Sequence, residues 1–151
     1  MKISAVIDNI GPSQNAFYMI KEFNKLVVSY ENCCSAFVNR ITSPVIKPLF
    51  SCPIIAFFSS YNGVAISTTI RETISILNST NNSRKFLYLW DLEWLYKPQQ
   101  YETIYNILNN KDLGLIARSD SHAKIIENFS NKNVLGVVNN WNKESLIRIV
   151  S

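Results

Sequence analysis

The chain has 151 residues, 47% apolar and 17% charged, which excludes a disordered chain and suits one domain able to bury roughly 70% of its unfolded surface. Its net charge of +4 is scattered, with only Arg84 and Lys85 adjacent among the cations, so nucleic acid is not an expected partner. No apolar run approaches the roughly 20 residues of a membrane span, so no membrane is expected either.

Residues 3–7 read as a strand that ends in Asp8-Asn9-Ile10-Gly11-Pro12. Ser13 then N-caps a helix whose apolar positions Ala16, Phe17, Ile20, Phe23 and Val27 recur every three or four residues. The second strand is expected over 35–38. Residues 39–53 hold Pro44, Pro48 and Pro53; proline blocks helix interiors and central strands, so this is an irregular crossover. A third strand is expected over 53–58, continuously apolar like a strand covered on both faces, and it ends in Ser59-Ser60-Tyr61-Asn62-Gly63. A helix follows over about 63–77, with Ile66, Ile70, Ile74 and Leu77 inward.

The fourth strand, 85–90, runs into Asp91-Leu92-Glu93-Trp94, and a helix is expected over 100–109. The fifth strand, 113–117, leads to Arg118-Ser119-Asp120-Ser121-His122 and a helix carrying Ile125, Ile126 and Phe129. The sixth, 134–138, leads to Asn139-Asn140-Trp141-Asn142 and a last helix to Val150. This alternation predicts an α/β fold over residues 1–151. It is a doubly wound, mainly parallel six-stranded sheet with helices on both faces, Rossmann-like, in the order 3-2-1-4-5-6 or close to it.

Three cysteines, Cys33, Cys34 and Cys52, and a single histidine, His122, supply neither a disulfide framework nor a zinc set. No metal and no cofactor are expected. The opening residues are too short an apolar run for a signal peptide, so the expected location is the reducing cytoplasm.

Ligands of open parallel sheets bind beyond the carboxyl ends of the strands, where helix N-termini present free N–H groups. Asn9, Gly11, Ser13 and Gln14 follow the first strand; the glycine lets backbone approach a ligand and the side chains offer donors, or the turn is simply N-capped. No dinucleotide fingerprint or P-loop accompanies them. Ser59, Ser60 and Tyr61 would bring hydroxyls to the same rim, or form an ordinary polar turn. Trp90, Asp91, Glu93 and Trp94 combine two carboxylates with two indoles. Such a wall suits a sugar or base face, and a partly desolvated carboxylate suits a general base; the other reading is two core tryptophans beside solvated acids. Arg118 could pair with a phosphate or hold Asp91 in place. Ser119 and His122 follow it, and Asn139 and Asn140 offer amides or cap the last helix.

The segments DNIGPSQNAFYMIKEFNKL, FFSSYNGVAI, YLWDLEWL, ARSDSHAKIIENF and VVNNWN together resemble glycosyltransferase-like proteins of tailed marine and cyanobacterial phages. The succession of elements also resembles the N-terminal half of a GT-B glycosyltransferase. That resemblance implies an acceptor-binding half-enzyme with Asp91 as first candidate base and His122 or Glu93 behind it. Gly11 would face an interdomain cleft, and a nucleotide sugar or glycan would be the ligand. If phage-encoded, the chain would work in the host cytoplasm. The 151 residues hold no second Rossmann-like half, so either another chain supplies the donor site, or the domain forms a homodimer, or the activity is gone. The alternative is a non-catalytic module that captures a host protein or a nucleotide ligand, with residues 39–53 and their Ile46, Leu49 and Phe50 as its contact surface.

Overall fold

The structure is a computed structural model that describes residues 1–30 and 33–151. Six strands form one all-parallel sheet: β1 (Lys2–Ile7), β2 (Cys33–Val38), β3 (Val64–Ser67), β4 (Arg84–Leu89), β5 (Leu113–Ala117) and β6 (Gly136–Val137). Five helices accompany them: α1 (Gln14–Tyr30), α2 (Ile70–Leu77), α3 (Tyr101–Leu108), α4 (Asp120–Phe129) and α5 (Lys143–Val150). The strand order is β2-β1-β3-β4-β5-β6. The chain therefore runs outward in opposite directions from the β1/β3 pair, which makes that pair the switch point of a doubly wound, Rossmann-like sheet.

Both faces of the sheet are covered. On one, Ala16, Met19, Ile20, Phe23 and Leu26 of α1 and Leu146 and Val150 of α5 pack on Ile3, Ala5, Ile7, Ile66 and Tyr88. On the other, Ile104 and Leu108 of α3 and Ile126 of α4 pack on Leu87, Leu89, Leu113 and Leu115, while Ile76 of α2 packs with Val6, Phe37, Phe58 and Ala65. Alternate residues of β4 face opposite clusters, as the pleat requires.

One expected strand is wrong and one real strand was not expected. Residues 53–58 are no central strand: Ile55–Ser60 is a 3₁₀ turn. Just before it, 51–54 lies along the outer edge of β2, where Ala36 and Val38 donate backbone N–H groups to the carbonyls of Ser51 and Pro53. Pro53 has no N–H to return, and the pairing stops at isolated bridges. The true third strand, β3, was absorbed into the expected helix over 63–77. All four of its residues are buried, so it lacks the alternation that marks a half-exposed strand, and Ile66 continues the helical spacing of Ile70 and Ile74. With β3 inserted between the first and fourth expected strands, and 51–54 outside β2, the order 3-2-1-4-5-6 becomes the observed one.

Candidate functional site

The missed strand moves part of the expected site. Residues 59–63 precede β3 instead of following a strand, so Ser59, Ser60 and Tyr61 lie at the amino edge of the sheet. Tyr61 Oη donates to the carbonyl of Val64, the first residue of β3 (3.0 Å). Gly63 sits against the backbone of Lys2, where a Cβ would come within 2.8 Å of the Lys2 carbonyl oxygen. Asp91 and Arg118 follow the last residues of β4 and β5, with a six-residue strand of roughly 20 Å in between. The expected rim shared by Ser59, Asp91 and Arg118 does not form.

The carboxyl edge does gather the other residues, in two neighbourhoods. In one, both indoles are turned into the protein, each 7% exposed. Trp94 stacks on Phe129 at 4.2 Å within the core. Trp90 packs against Tyr18 and Tyr88, and the Arg118 guanidinium covers its ring at 4.1 Å. No aromatic wall faces solvent here. Asp91 is exposed, and among the described residues no ion pair joins it to Arg118, which is committed to the indole.

The turns on this edge hold themselves together. Asn9 Oδ1 accepts the Gly11 N–H (2.9 Å) and its amide donates to Asp8. Ser13 Oγ accepts the Ala16 N–H (3.1 Å), capping α1, and Gln14 is exposed beside it. Ser119 Oγ accepts the His122 N–H (3.2 Å), capping α4. Asn140 and Trp141 adopt left-handed backbone, with φ of 46° and 60°. Trp141 is held there by complete burial and an indole N–H donated to Asn15 Oδ1 (2.8 Å). Asn139 accepts the Asn142 backbone N–H through its carbonyl. Ser13 thus caps its helix as expected, and the side chain that caps α5 is Asn142, whose Oδ1 accepts the Ser145 N–H (3.0 Å).

The second neighbourhood lies at the switch point. A cleft of about 460 Å³ opens there, in the range of small-molecule sites. Asp8 and Arg40, from the ends of β1 and β2, form an ion pair on its wall. Glu93 and Lys97, from the loop after β4, form another at 2.7 Å. Thr69, Arg71 and Glu72 enter from the first turn of α2, and Tyr96 closes the side. Thr69 caps α2, accepting the Glu72 N–H on its hydroxyl, and Glu93 Oε2 accepts the Ile70 N–H at 2.7 Å. Glu93 is thus 7% exposed and fully engaged.

Glu72 differs. It is 1% exposed; Asn39 Nδ2 donates to its Oε1 (3.0 Å), but Oε2 has no hydrogen-bond partner. Burial pushes its carboxyl above the ordinary value of 4.5, assisted by the nearby Asp8 and Glu93 and opposed by its own backbone N–H and by Arg71. Across the way, the Arg40 hydrogen bond holds Asp8 below its ordinary 3.8. Arg71 is exposed and has no ion-pair partner among the described residues. Among the described residues, buried side-chain atoms without a partner occur at Thr68 Oγ1, Glu72 Oε2 and His122 Nδ1. All three belong to the carboxyl edge. Native proteins leave few such atoms, and each calls for an explanation such as strain, a chemical role, or a bound water or ion.

A larger groove of about 510 Å³ opens at the amino edge, bordered by Arg84, Lys85, Lys111 and Lys132. Two of its three lysines are already used, while Lys111 is exposed: Lys132 Nζ donates to the carbonyls of Asn110 and Leu113, and Lys85 Nζ to that of Ser79. They close the carboxyl ends of helices and turns. The smaller cleft, with its unpaired carboxyl oxygen, is the candidate site.

Of the expected residues only Glu93 lines it. Asp8, Arg40, Thr69, Arg71, Glu72, Tyr96 and Lys97 were missed. The available signal was Thr69-Ile70-Arg71-Glu72, a capping-box sequence that marks a helix start, and hence a strand end before it. Among the described residues no cluster of histidine, cysteine, aspartate and glutamate could hold a metal ion, and no helix is long and apolar enough to cross a membrane. Comparison with family models, curated proteins and solved structures finds no match to this chain.

Proposed function

We propose that this chain is a glycosyltransferase-like, Rossmann-like domain that binds a sugar or nucleotide ligand in the cleft at the β1/β3 switch point. The observation that carries the reading is Glu72: a carboxyl 1% exposed, with one oxygen unpartnered, in a cleft that also holds an unpaired arginine. Arg71 suits a phosphate. Glu72, its carboxyl raised by burial, suits a ligand hydroxyl. The donor half of a two-domain enzyme, in this reading, comes from a second copy or another chain.

The test is a thermal-shift panel of nucleoside diphosphates and nucleotide sugars on the wild-type chain and Arg71→Ala. A ligand at about 100 times its Kd stabilises by about 2.7 kcal/mol. The reading expects such a shift for at least one compound and its loss in the variant. No shift across the panel overturns it.

A second reading, a module that captures a host protein without chemistry, has one observation in its favour. Ile41, Val45, Leu49 and Phe57 are exposed near the β2 edge, whereas Ile46 and Phe50 are partly buried against the core. Capture of a host protein that survives Arg71→Ala and is abolished by Ile41→Ser with Leu49→Ser would favour it.

A further inference from the structure

Two of the three cations at the switch-point cleft are already neutralised. Arg40 is paired with Asp8 and Lys97 with Glu93. That leaves Arg71 and Glu72, adjacent in the first turn of α2, to set the net charge a ligand meets. With Glu72 ionised the six groups sum to zero; with Glu72 protonated one positive charge remains. The helix end adds its own positive potential.

Placing an anion beside Arg71 would bring a second negative charge toward the Glu72 carboxylate, in a position where Asp8 and Glu93 already face it and Asn39 satisfies only Oε1. The cost falls if Glu72 takes a proton from solvent. Its Oε2, sealed from solvent in this structure, then becomes an O–H donor whose missing acceptor is an anion oxygen admitted by a shift of the cleft wall. One proton taken up at Oε2 removes the like-charge repulsion and fills the unsatisfied position. Thr69 and Tyr96 are the remaining groups on the wall, and neither carries charge at neutral pH.

We propose that this cleft binds an anionic oxygen ligand together with one proton, Arg71 receiving the charge and Glu72 the proton. The inference rests on the cleft being a ligand site, as read above, and adds the class of ligand group and its control by pH. Ligand anion and proton are then linked: each tightens the other by the same factor.

The probe is sulfate, whose charge does not change over the range used. Its affinity is measured by calorimetry and by amide chemical shifts from about pH 5 to about pH 8, on the wild-type chain, Glu72→Gln and Arg71→Ala. Expected are roughly tenfold tighter binding at the acid end for wild type, binding with little pH dependence in Glu72→Gln, and loss of binding in Arg71→Ala. Calorimetry of the wild-type chain in buffers of different ionisation enthalpy reads the proton directly, and uptake approaching one per sulfate is expected. That measurement stands if Glu72→Gln folds poorly. Sulfate binding that needs Arg71 but takes up no proton would overturn the coupling and leave the site intact. Sulfate binding indifferent to Arg71→Ala, or none at any pH, would remove the anion site itself, while a response to nucleotide sugars in the earlier panel would still keep the cleft as a ligand site.

Discussion

Glu93 Oε2 accepts the backbone N–H of Ile70 at 2.7 Å, so the loop after β4 supplies an N-terminal cap for α2, the helix after β3. Lys97, one turn on, holds the other carboxylate oxygen. The residue expected to be a second candidate base is therefore a strut between neighbouring crossovers. Glu93→Ala should destabilise the fold by about 2 kcal/mol, the worth of a charge-assisted bond to a buried helix end. Glu93→Gln, which keeps an acceptor, should lose less. Urea unfolding of the two variants measures both values, and equal stability to wild type would show that the cap is dispensable.

Glu72 and Asp8 line one cleft and pull acid stability in opposite directions. Burial raises the Glu72 carboxyl above 4.5, so the folded chain keeps a proton that the unfolded chain has released. Its contribution favours folding most below the unfolded value and declines as pH rises through the folded one. Asp8, held below 3.8 chiefly by its hydrogen bond from Arg40, contributes above its unfolded value and loses that contribution as pH falls through the folded one. Glu72→Gln should flatten the decline above about pH 4 and leave the acid limb below it in place. Denaturant midpoints across that range check it; an unchanged slope in the variant would assign the decline to another group.

Arg118 covers the face of Trp90 at 4.1 Å while Asp91 stands exposed beside them. Arg118→Ala should uncover the indole, shift its fluorescence to the red and cost about 0.5–1 kcal/mol. Asp91→Asn should change stability by less than about 0.5 kcal/mol and leave ligand binding in the switch-point cleft as it was. Loss of binding in Asp91→Asn would return the site to the β4 edge.

Gly63 approaches the Lys2 backbone so closely that a methyl group would meet its carbonyl oxygen at 2.8 Å. Lys2 belongs to β1, and Gly63, immediately before β3, is held by the Arg84 N–H on its carbonyl, so neither backbone has much room to yield. Gly63→Ala is expected to cost about 1–3 kcal/mol, as overpacking does. A neutral result would mean that residues 59–63 do not lie at the start of β3, and would reopen the placement of Ser59, Ser60 and Tyr61.

The layered architecture was legible in the chain because each of five strands is a short apolar run closed by polar residues, and each helix repeats its apolar positions at 3.6. Ser13, Thr69, Ser119 and Asn142 cap α1, α2, α4 and α5 through their side chains, and such signals are local. Whether Val64-Ala65-Ile66-Ser67 is strand or helix is not local: four residues buried on both faces carry no period, and only pairing with β1 and β4 decides it. From that one decision follows the edge on which Ser59 or Thr69 lies. Burial likewise depends on what packs opposite. Trp94 became core because Phe129 lies over it, and Glu72 became the unpaired acid because β1, β2 and the loop after β4 enclose it. Residue type and spacing determined the layers; the neighbours that strand order brings together decided which carboxyl lies buried with one oxygen unpartnered.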